Sequence, residues 1–169
     1  MKKKGGYTLI SFTRRESCEG YTLIEILIVL AITGILFTIG YNSFQDYSRQ
    51  QALVAAARSM QTDLRQAQES AIAGTKPTGC VTLNGYQFNV LTSSTYEIDA
   101  NCTNNVIQIK LSSLPVGLTV ATPNPNPIIF KSLAQGTNIP LANTATITIT
   151  QTSTQNVRNV TIGSNGNIQ

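Results

Sequence analysis

The sequence predicts an α+β protein: one long N-terminal helix, apolar in its first half and amphipathic in its second, packed on a C-terminal antiparallel β-sheet domain. Three observations predict it. An apolar run from Tyr21 to about Tyr41 carries a single charge, Glu25. No proline occurs before Pro77, and a helical period continues through the residues that follow the run. From Cys80 onward charges thin out, and Thr, Asn, Ser and β-branched residues take over, which is the texture of strands and turns.

The chain opens on a basic leader. Lys2, Lys3, Lys4, Arg14 and Arg15 against Glu16 and Glu19 give residues 1–20 a net +3, while residues 21–169 carry a net +1. The basic balance therefore belongs to the leader and reads as a topology signal, not as a nucleic-acid surface. By the positive-inside rule the N-terminus is cytoplasmic and the C-terminal body lies outside. The run is close to the ~20 residues that span a hydrocarbon core, so a single pass through the cell (inner or plasma) membrane is expected. A secretory signal peptide is the rival, since Ile26 to Ile39 has the length of an h-region. Against it, Thr38-Ile39-Gly40 is a poor small-x-small cleavage site, and the helical pattern runs straight through it. An ionised Glu inside such a run costs roughly 2.5–3.5 kcal/mol, which makes Glu25 a functional candidate. The plainer alternative is a Glu that snorkels to the interface.

After the run, Phe44, Tyr47, Val54, Ala57, Met60, Leu64, Ala67 and Ala71 recur largely in steps of three, four or seven. Arg49, Arg58, Asp63, Arg65 and Glu69 fall mostly off that stripe, as an amphipathic helix requires. Gly74 followed by Pro77 stops it. Val81–Leu83, Asn84-Gly85 and Tyr86–Leu91 then read as a hairpin with a type I′ turn. Further strands are expected at Thr95–Asp99, Val106–Leu111, Leu118–Ala121, Ile128–Lys131, Ala145–Thr150 and Val157–Ile162. Pro123, Pro125 and Pro127 mark an exposed loop, and Gly163-Ser164-Asn165-Gly166 a late turn before a short terminal strand. The expected divisions are a leader at 1–20, a span at 21–41, an amphipathic half-helix at 42–74 and a β-rich domain at 75–169.

The inventory for chemistry is thin. There is no His, and Cys18, Cys80 and Cys102 are the three cysteines. Zinc ligation and His-based triads are unsupported. Cys80 and Cys102 either close a loop worth about 3 kcal/mol, as suits an oxidising exterior, or are two unrelated thiols. Asp46, Asp63 and Glu69 spread along the helix and read as a solvated face. Glu97 and Asp99 alternate on one strand face and read as an exposed pair, with a cation contact as the sharper alternative. Tyr86, Phe88 and Tyr96 near Lys76 and Lys110 lack the charge density of a nucleic-acid footprint. No cofactor, metal or catalytic residue is expected.

Gly20-Tyr21-Thr22-Leu23-Ile24-Glu25, with a basic leader before it and Ile-Leu-Ile-Val-Leu-Ala-Ile-Thr-Gly-Ile-Leu after it, resembles the prepilin signal of type IV pilins and type II secretion pseudopilins. The resemblance implies cleavage after Gly20 by a prepilin peptidase, N-methylation of Tyr21 and retention of the apolar run. It also implies that Glu25 pairs with the N-terminal amine of a neighbouring subunit, an arrangement that makes a charge tolerable in lipid. The implied partners are other pilins or pseudopilins, an inner-membrane assembly platform with its ATPase, and membrane lipid. Gly6-Tyr7-Thr8-Leu9-Ile10 repeats the signal but puts Ser11 where the Glu should stand. More loosely, Leu64 to Gly74 and Val160 to Gly166 are similar to H-type pseudopilins and related minor pilins. Many pilins have a proline shortly after the span and this chain does not, a departure compatible with a minor pilin or with a pseudopilin. The expected function is a structural minor pilin of a type IV pilus, serving assembly, motility, adhesion or DNA uptake. The alternatives are an H-type pseudopilin acting in protein export and a membrane-anchored surface domain that does not assemble.

Overall fold

The computed structural model describes residues 20–169; the leader, with Cys18 and the second signal copy at Gly6, lies outside them. A helix, α1 (Leu23–Ala73), precedes seven strands: β1 (Leu83–Thr92), β2 (Thr95–Cys102), β3 (Val106–Ser113), β4 (Leu118–Val120), β5 (Ile128–Lys131), β6 (Thr144–Gln151) and β7 (Val157–Gly163). The strands form two antiparallel sheets, ordered β3-β2-β1-β5 and β4-β6-β7. The α+β architecture is the expected one, with two sheets where a single sheet was foreseen. The chain divides into two compact units between Asn42 and Ser43.

In the second unit the helix buries Leu53, Ala56, Met60, Leu64, Ala67 and Ala71, a stripe in steps of three and four. This corrects the expected stripe in two ways. Phe44 and Tyr47 stand exposed, at 69% and 60%, so the buried face begins only at Leu53. Val54 and Ala57 are half-buried flanks, because the seam runs one residue earlier. Ala52 to Ala57 is apolar throughout, so the sequence there offered two phases and only packing chooses between them. The helix ends as its glycine requires. Gly74 takes φ 63°, its N–H donates to Ala71 O at 3.1 Å, and Thr75 N–H donates to Ser70 O at 3.1 Å, a Schellman stop.

Both sheets turn apolar faces to one core. Tyr86, Phe88 and Val90 of β1 and Tyr96, Ile98 and Ala100 of β2 alternate into it. The second sheet supplies Ala145, Ile147 and Ile149 of β6 with Val160 and Ile162 of β7. Asn84-Gly85 is no turn: it lies inside β1, with an irregular register between Leu83 and Gly85. The turn falls at Ser93-Ser94, between β1 and β2. Gly85 is required for another reason, since a β-carbon there would run into the backbone carbonyl of Phe130 on the neighbouring β5. Cys80 and Cys102 are joined by a disulfide, with Cα atoms 5.6 Å apart, which ties the segment after the helix to the end of β2.

One carboxylate crosses from helix to sheet. Asp63, read from sequence as part of a solvated face, is 3% exposed. It accepts hydrogen bonds from the Tyr96 hydroxyl at 2.9 Å and the Lys110 ammonium at 2.7 Å, with Ser112 Oγ at 3.4 Å. Those partners come from β2 and β3, so the contact fixes the height of the helix against the first sheet. By contrast the Asp46–Arg49 pair, 3.5 Å apart, is exposed and holds little. Asp63→Ala should therefore cost about 2–3 kcal/mol, because it strands a buried hydroxyl and removes a charged hydrogen bond. Asp46→Ala should stay within about 0.5 kcal/mol. Urea unfolding of the full chain in detergent reads both.

Candidate assembly site

The first described unit starts at the residues that the sequence singled out. Gly20 precedes the helix, and Tyr21 is 78% exposed. Thr22 is the N-cap: its hydroxyl accepts the Glu25 N–H at 3.3 Å, while its carbonyl accepts from Glu25 N at 3.1 Å and Ile26 N at 3.3 Å. Thr22-Leu23-Ile24-Glu25 thus has the spacing of a capping box, with Glu25 the acidic residue of the first turn. The helix dipole favours a carboxylate there. Sequence reasoning gave Glu25 a role toward a neighbour and missed this local one, although the Thr-x-x-Glu spacing was in view.

Beyond the cap the helix is apolar on every side. Leu23, Ile24, Leu27, Ile28, Val29, Leu30, Ile32, Ile35 and Leu36 are each about half exposed or more. None of its apolar window is buried inside the protein. The polar side chains in this stretch return to the backbone: Thr33 Oγ1 donates to Val29 O at 2.7 Å and Thr38 Oγ1 to Ile35 O at 2.8 Å. Phe37 and Tyr41 stack with centroids 6.2 Å apart. Gly34 leaves open space where a side chain would stand. Such a helix suits lipid or a packing of like helices, and the one charged residue of its apolar run, Glu25, sits near its start.

The second unit offers less for chemistry. Among the described residues no three His, Cys, Asp or Glu side chains gather as a metal site. Asp63 and Tyr96 are buried against the sheet, and Lys110 reaches solvent from the same cluster. Burial pushes the Tyr96 hydroxyl up to about 12, and the Asp63 charge and hydrogen bond add to the rise, while Ser112 and Ser59 pull it back. Asp99, expected to be exposed, is 2% exposed. Cys80 and Cys102 are spent in their disulfide.

Comparison with known protein families gives two matches. The prokaryotic N-terminal methylation motif covers residues 16–41, and the type II transport protein GspH model covers residues 56–166. No curated protein and no solved structure matches the chain. The first match frames Gly20, Tyr21 and Glu25; the second takes in the buried half of the helix and both sheets.

The Tyr96 environment carries a pH signature. Its folded-state proton is held more tightly than the ordinary value of 10.0, so the stability it brings is present below pH 10 and is lost as pH rises toward about 12. Melting temperature followed across that window should fall more steeply for the natural chain than for Tyr96→Phe, which has no proton to lose.

Proposed function

The chain belongs to the type II transport protein GspH family and carries the prokaryotic N-terminal methylation motif, and from that premise we propose that it is a minor pilin of a type IV pilus. Pilins and pseudopilins are structural, non-enzymatic components that work with other pilins or pseudopilins and are processed by a prepilin peptidase. The protein is a membrane-anchored member of that class. In the proposal, residues 1–20 are removed after Gly20, Tyr21 becomes the methylated N-terminus, residues 21–41 stay in the membrane or the filament core, and the domain from 75 onward stands outside. Assembly then runs through a platform in the inner membrane and its ATPase.

The observation that carries the reading is the all-round exposure of the apolar helix after Glu25. Those side chains have no cover among the described residues, and burying one of them stabilises by about 1.5–3 kcal/mol, so lipid and neighbouring helices are their natural surroundings. Glu25 supplies the register. A carboxylate in an apolar packing is tolerable beside the free amine of the next subunit and costly one position away. A second reading, an H-type pseudopilin of a type II secretion system, is favoured by the description of the matched family. A surface domain that merely anchors would leave Glu25 with nothing but its first-turn position.

N-terminal sequencing and mass spectrometry of the mature protein should find methylated Tyr21; an intact Met1, or a start near Tyr41, sinks the proposal. Glu25→Ala should still enter the membrane yet fail to appear in sheared filaments, whereas unchanged incorporation favours the lone anchor. Deleting the gene separates the remaining two readings. Loss of surface filaments with export intact supports the pilus, and retained filaments with exported proteins trapped inside support the secretion system.

A further inference from the structure

The first sheet has a second face, turned away from the core stripe, and on it a row of amides gathers around two carboxylates. Pairing and alternation put Gln87 and Asn89 of β1, Glu97, Asp99 and Asn101 of β2, and Gln108 and Leu111 of β3 on it. The amides point one way. Asn84 Nδ2 donates to Asn101 Oδ1 at 3.3 Å, Asn101 Nδ2 to Gln87 Oε1 at 3.2 Å, and Gln87 Nε2 to Asp99 Oδ2 at 3.0 Å. Glu97 receives two more, from Asn89 Nδ2 at 3.1 Å and Gln108 Nε2 at 2.8 Å.

The two acids end up in different circumstances. Glu97 is half-buried, with a donor on each oxygen, as a carboxylate wants. Asp99 is 2% exposed, and its Oδ1 is buried without a hydrogen-bond partner. No basic side chain faces it from β1 or β3, whose residues opposite and beside it are Gln87, Asn89, Gln108 and Leu111. On β5, Ile129 stands across from Gln87, and Lys131 pairs with Gly85, two strands from Asp99. The nearest charge on its own strand is the like charge of Glu97. An ionised carboxylate placed so would be desolvated, repelled and short of one donor, each of which disfavours the charged form.

We propose that Asp99 is held as a neutral carboxylic acid whose Oδ1 hydroxyl donates to Glu97, so that this face is a proton-binding site shared by the pair. Protonation supplies the missing partner and removes one of the two like charges. Burial pushes the Asp99 carboxyl above the usual carboxylate range, the Gln87 amide draws it back in part, and the Glu97 charge and hydrogen bond add to the rise. When the proton leaves to solvent, two adjacent anions remain on β2, next to an irregular register at Ile98/Asp99 where β3 pairs. β3 is an edge strand, paired only with β2 among the described residues. The proton thereby strengthens the attachment of that edge, and the site makes it responsive to the pH outside the cell.

The sign follows from the raised value. A proton held more tightly in the folded state stabilises at low pH, and that stabilisation is lost as pH climbs from the ordinary carboxylate range through the higher folded-state value. Carboxyl carbon resonances of the full chain in detergent, titrated by NMR, should show one acid above the usual range, assigned to Asp99 by its disappearance in Asp99→Asn. That variant keeps a donor toward Glu97, so its melting temperature should exceed the natural one at about pH 8 and match it at about pH 4. Glu97→Gln should bring the Asp99 titration down toward the ordinary range, which tests the pair even if Asp99→Asn folds poorly. An Asp99 that titrates in or below the ordinary range overturns the proposal. So does calcium that shifts both carboxyl signals at about neutral pH and stabilises the natural chain alone, since a cation would then occupy the site.

Discussion

Apolar side chains on every face of a helix have to be covered by something other than water. In the first unit the helix offers nothing of its own to do so. A helix satisfies its own backbone donors and acceptors, and here the threonine hydroxyls also turn inward, so the segment brings almost no polar cost into lipid. The exceptions are confined to its start, at the capped turn and Glu25. In the proposed function, processing, anchoring and assembly all concern that start, because it is where an otherwise featureless apolar rod acquires polarity and register. In the second unit the obligation is different: one stripe is apolar, and the protein's own sheets cover it.

Much of this was legible before any coordinates. Period, length and the absence of proline gave the helix, and its Gly74 stop is geometrically what a glycine followed by a near proline suggests. The order of strands from Thr95 onward also followed from alternation and turn residues. Three readings failed for a common reason. Asn84-Gly85 is a strong local turn signal, yet what decides Gly85 is the approach of Phe130, far along the chain. Asp63 looks like any helix acid until Lys110, 47 residues away, closes on it. Asp99 looked exposed because alternation says which residues share a face, not how thickly their neighbours cover it. At the helix start the failure was of another kind, since attention to a role for Glu25 between subunits passed over its local first-turn position.

The two buried acids show two ways of keeping a carboxylate inside. Asp63 is given a cation and hydroxyls, and Lys110 can still reach water with its own side chain 45% exposed, which lowers the cost of the pair. Asp99 is given a single amide, from Gln87, and its other oxygen has no donor. Neither adds much net stability over an apolar core of the same shape, but both penalise a helix or strand that slips by one residue. Polar groups of this kind specify a single register where Ala-rich and Thr-rich surfaces would accept several.

The bridge between Cys80 and Cys102 ties the segment that leaves the helix to the strand that carries Tyr96 and Asp99. Thiols are kept reduced in the cytoplasm, so the bond closes only in an oxidising compartment. With the domain outside, as proposed, its completion is tied to the oxidising conditions there as well as to its passage across the membrane. In the proposed function, a subunit that reaches the membrane unoxidised keeps its helix and lacks the tie between Cys80 and β2, a difference that packing through helices alone would not register.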